Sequence, residues 1–496
     1  MNISKILLNT ADVAPSHPAI IFRDKRITYK EFSQSVKEKA AGLRNYGIKN
    51  GSHVALMMAN KPEYAISYFS LLSIGATVIP INPTFKENEI TYILNDSDAE
   101  AIIVDEIGLC EVQKARESLA SVKTFVSLGK VENFVPWDEI HEDSYDFLLE
   151  PKKADDNAQI IYTSGTTGRP KGALITHGNL KWMSETSAEI LELTDEDRVL
   201  LVLPLFHAYA KLQGLLQCVL KGCTIYLEER FIPNVILQKL SDHKISIFLG
   251  VPTMYTMFVH SANIRELDFT NLRIAGSGGA SLPVEIIEKV KTEMGVEIGE
   301  GYGQTESTVM ISCFPSDIAK KIGSVGVPLP GLELKIIDPN GREVPVGEVG
   351  EIIFKGPNAM KGYYKKEEAT NETIQDGWVY TGDLGRQDEN GYLYIVDRKK
   401  DLIIRGGYNV YPREVEEVLY THPNIVECAV IGESDPVFGE EVAAYVVTKT
   451  TTTPDDISDF CKQQLAHYKV PRKIYFLTEL PKTTTGKILK TPLKKR

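Results

Sequence analysis

The sequence has no Cys-x-x-Cys pair and no HxxxH or HExxH spacing. Its six cysteines, at 110, 218, 223, 313, 428 and 461, and its nine histidines therefore do not suggest a structural zinc site. Unpaired thiols fit a reducing compartment. Positive charge is not in excess either: a net charge of −12 argues against a general nucleic-acid binder. No apolar run reaches membrane-spanning length, and the N-terminal MNISKILLNTADVAPSHP has neither a long apolar core nor a cleavage-like site. A cytoplasmic chain without a transmembrane segment is expected. Walker spacing is missing too. In YTSGTTGRPKG (162–172), Pro170 stands where the second glycine of GxxxxGK[ST] belongs.

What that segment does contain suits phosphate. Gly165, Gly168 and Gly172 let the backbone bend and approach a ligand. Thr163, Ser164, Thr166 and Thr167 supply hydroxyls, and Lys171 a mobile positive charge. Apolar AQIIYTS (158–164) precedes the loop and GALITH (172–177) follows it, so it is expected to join two strands. A Walker loop opens a helix and uses its N-terminus; this one must bind with its own amides, hydroxyls and lysine. As a bare pattern it reads equally as a turn.

The 496 residues exceed one ordinary domain. In the first half, strand-like runs alternate with helical ones: 53–60, 77–82 and 99–105 against 61–76 and 85–96. The rhythm returns from 199 to 303, with a helix after Tyr209, another over 232–243, one after Pro252 and one over 281–294. Such alternation implies βαβ units and largely parallel sheets, here two wound α/β sheets. After about 320, Gly and Pro become frequent and short strands such as 332–338 and 350–356 suggest a β subdomain. Beyond Lys400 lies an α+β stretch of domain size, with a helix over 414–423. From Cys461 to the end there are ten Lys/Arg and one acid, Glu479, a solvated tail or a surface for a polyanionic cofactor.

Six segments occur in order: YTSGTTGRPKG, PLFHAYA (204–210), GYGQTE (301–306), YTGDL (380–384), DRKKDLIIRGGYNVYPREVE (397–416) and PKTTTGKILK (481–490). Together they resemble the adenylate-forming superfamily of acyl-CoA synthetases, luciferases and nonribosomal adenylation domains, over nearly the whole chain. The resemblance implies an N-terminal AMP-binding domain over 1–397, a hinge at 398–400 with Lys400 as its pivot, and a smaller mobile C-terminal domain over 401–496. It implies ATP, Mg²⁺ and CoA. Residues 163–168 and Lys171 would take the triphosphate. Gly301 and Gly303 would allow close approach, Tyr302 would stack on adenine, Thr305 would lie near phosphate and Glu306 would hold Mg²⁺, which on nucleotides takes one or two carboxylates.

By the same resemblance Asp383 would accept from both ribose hydroxyls, as a two-oxygen carboxylate can, and Arg398 would assist at ribose and phosphate. His207 would line the carboxylate site without serving as a proton-transfer base. Lys487 would reach the acyl carboxylate and α-phosphate, offsetting repulsion between two anions. Lys490 departs from the arginine common in relatives. If the C-terminal domain rotates, Gly406 and Gly407 would come to the CoA passage. Taken alone, each of these residues is an ordinary turn, cap or surface residue.

The implied reaction is carboxylate + ATP + CoA giving acyl-CoA, AMP and pyrophosphate. An amino-acid adenylation domain is disfavoured: the segment FHAYA lacks the expected aspartate and no carrier domain follows Arg496. A luciferase-like ending of SKL type is missing. A kinase would release ADP and needs no counterpart of Lys487; a binding module needs no hinge. For the acyl group, Tyr209, Leu212, Gln213, Gly278 and Gly279 are expected to line the pocket, and Leu212, Leu215, Leu216 and Val219 suit an alkyl chain. Lys211, Gln213 and Gln217 are expected to face water. With Lys211 or Gln213 turned inward, a dicarboxylate, hydroxylated or aryl acid fits, and Tyr209 keeps the aryl option open. A homodimer is compatible with the pattern.

Overall fold

The computed structural model describes residues 1–142, 147–163, 169–483 and 486–494. Among the described residues two large sheets dominate. The first has eight strands in the order 362–363, 171–176, 157–163, 77–80, 53–57, 101–104, 124–127 and 135–136. Its central strands run parallel, and the run Val54–Met57 is buried on both faces. Burial of both faces is why such strands read as continuous apolar runs. The second sheet has seven strands, ordered 298–300, 274–277, 247–250, 198–201, 224–227, 18–22 and 25–28. It is parallel until its last pair, Pro18–Phe22 with Lys25–Thr28.

The two wound sheets expected from the alternating rhythm are both present. The sequence reading did not include the strands at 18–28, which complete the second sheet from far away in the chain. Between the sheets lies the helix Pro62–Ser73. Proline opens its first turn, where the missing N–H costs nothing. All its residues but Glu63 are buried, so it cements both layers into one core containing Val54 and Leu56 as well as Val199 and Ile225.

An antiparallel sheet of Glu333–Ile337, Gly350–Lys355, Trp378–Gln387, Ile374–Gln375 and Leu393–Arg398 forms the β unit, with its own core around Ile352, Phe354 and Leu393. The chain then crosses to a last sheet of Tyr408–Val410, Ile403–Arg405, Gly439–Thr448, Ile425–Asp435 and Lys473–Phe476. Helices Pro412–Tyr420 and Pro454–Lys462 cover one face of that sheet, around Val415, Leu419 and Ile457. Thr453 caps the second of these helices by accepting from the Asp456 amide, in a reciprocal capping box.

Candidate active site

Strands 157–163 and 171–176 form the antiparallel hairpin expected of the glycine-rich loop, with Thr163 opposite Lys171. Ser164, Gly165, Thr166, Thr167 and Gly168 lie outside the described residues. Thr163 and Lys171, at the loop's two ends, line a cavity of about 1560 Å³. The same cavity is lined by Gly301, Tyr302, Gly303, Thr305 and Glu306 at the end of the strand Ile298–Glu300. Asp383, Arg398 and Lys400 enter from the β unit and the crossing after it, and Lys487 from the C-terminal segment. Ligands of open α/β sheets collect beyond the carboxyl ends of strands, and the cavity lies there.

Asp383 and Arg398 are neighbours across an antiparallel ladder. The Arg398 Nε lies 3.2 Å from Asp383 Oδ1, while the Tyr302 hydroxyl donates to Oδ2 at 2.8 Å. Asp383 is buried, and each oxygen keeps a lone pair for a further donor. Arg398 is thus paired with Asp383. The neighbouring Asp397 instead accepts the backbone amides of Arg398 and Arg413.

The turn Thr305–Ser307 places Glu306 at the cavity wall. Its Oε1 accepts from the Tyr363 hydroxyl at 2.7 Å, and the Lys171 ammonium lies 4.9 Å from the centre of the same ring. Tyr363 went unnoticed in the sequence. Its only signal there is a tyrosine in a Gly-Tyr-Tyr run, and its role depends on the ladder that sets 362–363 beside 173–174. The chain then folds back sharply. Thr308 and Val309 take φ of 48° and 91°, costly for a β-branched residue. The buried Asn358 braces this fold: its side-chain amide donates to Met310 O and its backbone carbonyl accepts from Thr308 Oγ1, both at 2.7 Å. A Cβ on Gly303 would sit 2.0 Å from Val309 O. That glycine makes room for the chain's own backbone rather than for a ligand.

Lys487 sits in a tight turn where Thr483 N donates to Lys487 O at 2.8 Å. A Cβ on Gly486 would come within 2.4 Å of Thr253 Oγ1, so this turn is pressed against the helix Pro252–Phe258. Burial, then the positive charge of Arg398, pull the Lys487 pKa down to about 8, against opposition from Asp383. Lys490 pairs with Glu416 at 2.8 Å, and although burial pulls its pKa down, Glu416 and Asp397 raise it overall. A lysine therefore satisfies that position.

His207 opens onto the cavity, and its Nδ1 accepts the Tyr209 amide at 3.3 Å. The surrounding protein, with Lys211 and Lys487 adding to the effect, lowers its pKa to about 4, so the ring is neutral at pH 7. Tyr209, Gln213, Gly278 and Gly279 line the cavity beside it. The Tyr209 ring packs against Gly278, where an added Cβ would lie only 3.2 Å from it.

Leu212 does not join them. It is buried in the core, on a segment, Ala210–Leu216, wound as a π-helix rather than an α-helix. The water-facing expectation for Lys211, Gln213 and Gln217 is also overturned, since all three are buried. Gln217 accepts from Ser187 Oγ at 2.7 Å and donates to Gln213 O, and the Gln213 amide reaches the Met310 sulfur at 3.2 Å. Lys211 Nζ has no hydrogen-bond partner among the described residues. It rests 5.1 Å from the Tyr68 ring centre, and burial drives its pKa well down. Gly406 and Gly407 stand exposed on the turn between Ile403–Arg405 and Tyr408–Val410, outside the cavity.

Among the described residues no cluster of three or more His, Cys, Asp or Glu could cage a metal. A lone carboxylate fits Mg²⁺ nonetheless, because on nucleotides that ion takes most ligands from phosphates and water. No helix among those residues is long and apolar enough to cross a membrane.

The AMP-binding enzyme family matches residues 7–364, and the AMP-binding enzyme C-terminal domain matches 414–487. A feruloyl-CoA synthase of Amycolatopsis sp is 36% identical, across 98% of this chain and 97% of its own. A long-chain-fatty-acid–CoA ligase of Bacillus subtilis (strain 168) is 35% identical, across 99% and 94%. The solved structure of an anthranilate CoA ligase with anthranoyl-AMP superposes with a TM-score of 0.94 at 29% identity, covering 100% of this chain and 97% of that one. With ATP, Mg²⁺ and CoA as its requirements, the chain belongs to the AMP-binding enzyme family, the adenylate-forming superfamily, as an AMP-forming acyl-CoA synthetase.

Proposed function

We propose that the acid is a fatty acid, and that the chain works in the cytoplasm. One observation carries the substrate: the cavity does not stop at Tyr209. Its lining extends to Ile274, Gly276, Cys313, Phe314 and Ile318, with Arg273, Glu297 and Lys320 also in the wall. The apolar part of that wall suits an alkyl tail. A second reading, an aryl acid, draws on the Tyr209 ring in the cavity wall, an aromatic face against which a flat ring could pack.

In the first step the carboxylate oxygen attacks the α-phosphorus and pyrophosphate leaves. In the second the CoA thiol attacks the acyl carbon, AMP leaves and the thiol proton is released. A carboxylate alone is a poor acyl donor; the adenylate supplies the leaving group. Asp383 would accept from the ribose hydroxyls with Arg398 beside it, and Tyr302 would face adenine. Glu306 would hold Mg²⁺, which screens phosphate charge when bound. Thr305, Lys171 and the hydroxyls of 163–167 would order the phosphates. Neutral His207 would border the carboxylate without taking a proton, while the Lys487 ammonium would bridge carboxylate and phosphate. Rotation of 401–496 about Lys400 would then withdraw Lys487 and bring Gly406 and Gly407 to the CoA thiol.

The test is a panel of short to long fatty acids, aryl acids and diacids scored for pyrophosphate release with and without CoA. Fatty acids are expected to lead, with turnover dependent on CoA. Preference for aryl acids selects the second reading.

A further inference from the structure

Away from the cavity's phosphate end, the C-terminal segment makes a second anchorage. The helix Pro412–Tyr420 meets the start of the helix Val284–Met294 and the end of the strand Ile298–Glu300. Arg413 is the hub. Its Nη1 donates to Ile395 O at 2.6 Å, and its Nε lies 3.5 Å from Glu417 Oε1, one helical turn on. Burial raises the pKa of Glu300, which is only 4% exposed, to about 7, and the same guanidinium opposes that rise.

The two carboxylates come from opposite sides of the junction and hold the same short segment. Glu300 accepts the Leu282 amide at 2.9 Å, and Glu417 accepts the Val284 amide. Val284 begins its helix, where amides lack partners and a negative charge is favoured. Burial raises both carboxyls, Glu417 adds to the rise at Glu300, and Arg413 opposes the rise at each. Glu416, beside Glu417, is already engaged with Lys490.

We propose that Arg413, Glu417 and Glu300 form a catch that holds the C-terminal segment where Lys487 reaches the cavity. They are positioning residues for the adenylation step alone. This rests on the two-step, rotating reading above. An orientation that withdraws the Lys487 turn from Thr253 would part the Glu417 contact to Val284, which Arg413 positions. Weakening the catch therefore lowers the population able to adenylate and leaves the other orientation free.

The test compares the half-reactions in the full-length enzyme. Glu417→Gln keeps shape and removes charge; Arg413→Met removes the hub, and Arg413→Lys restores a cation. Carboxylate-dependent ATP–pyrophosphate exchange is expected to fall about tenfold in Glu417→Gln and further in Arg413→Met, in proportion to the competent population. Arg413→Lys is expected to recover part of it. Thioester formation from supplied acyl-AMP and CoA stays level or rises, which also reports that each variant is folded. Equal loss in both half-reactions, or no loss in either, overturns the catch. A wild-type enzyme that forms no thioester from acyl-AMP overturns the two-step reading itself, a result visible before any variant is made.

Discussion

Tyr302 and Asp383 are joined by a 2.8 Å hydrogen bond that links the segment just beyond one sheet's edge strand to a strand of another sheet. The tyrosine follows the edge strand of the parallel sheet, and the aspartate lies in the antiparallel unit. The bond therefore fixes the distance between the proposed adenine wall and ribose acceptor before any nucleotide arrives. Burial, with Asp383 nearby, pushes the Tyr302 phenol well above its ordinary range, so it remains a donor at every working pH.

Tyr302→Phe removes that donor and leaves Asp383 with Arg398 alone. At about 1.5–3 kcal/mol for a bond to a charged group, KM for ATP should rise roughly ten- to hundredfold. Steady-state kinetics at saturating acid and CoA check it. An unchanged KM would mean the aspartate is held well enough by its ladder neighbour.

Lys487 has an alkaline limit built in. Its pKa is lowered to about 8, so the ammonium is present below that pH and lost above it. In the free enzyme, kcat/KM for adenylation should fall with rising pH through a limb near 8, as such profiles report free-enzyme groups. Lys487→Arg keeps its charge throughout and should shift the limb upward at reduced rate. Lys487→Ala should lose adenylation while keeping thioester formation from supplied acyl-AMP; equal losses would remove Lys487 from its proposed role.

Lys211→Met should stabilise the protein. The native amine is buried without an acceptor among the described residues, and burial drives its pKa well below 10.5. Below about pH 10 the unfolded chain binds a proton that the native state does not, which penalises folding. The gain in Tm should be largest near neutral pH and shrink toward pH 10. A lower Tm would mean that the contact with Tyr68 is worth more than the burial costs.

Gly303→Ala has no room. With Val309 O only 2.0 Å from the added carbon, the turn over 303–310 must open at a cost above about 3 kcal/mol. A sharp fall in Tm together with lost ATP binding is the expected outcome. Binding lost at full Tm would mean instead that the glycine serves a ligand.

Much of this was legible in the chain itself, because its signals are local. The runs at 53–57, 77–80 and 101–104 and the helices between them follow from apolar periodicity, and the hairpin of the glycine-rich loop follows from its flanks. What escaped depends on distant partners. Lys211 and Gln217 look water-facing until Tyr68 and Ser187 are set against them. Leu212 looks like pocket wall until the wider π-helical winding turns it into the core. Tyr363 gains its place only when residues 362–363 pair with the loop's outgoing strand. Gly406 and Gly407 lie outside the cavity because the chain is seen with Lys487 inside it.

The pairing of Pro18–Phe22 with Thr224–Leu227 has a consequence for how the protein is made. A ribosome emits these strands some two hundred residues apart, at about 5–20 residues per second. For tens of seconds the early hairpin has an open edge and no sheet to join. The strands at 53–57, 77–80 and 101–104, by contrast, emerge close together and can pair at once. Nascent chains should thus acquire the first sheet while the opening residues are still waiting. That waiting edge is where a chaperone would bind, and where slowed translation would most easily divert the chain toward aggregation.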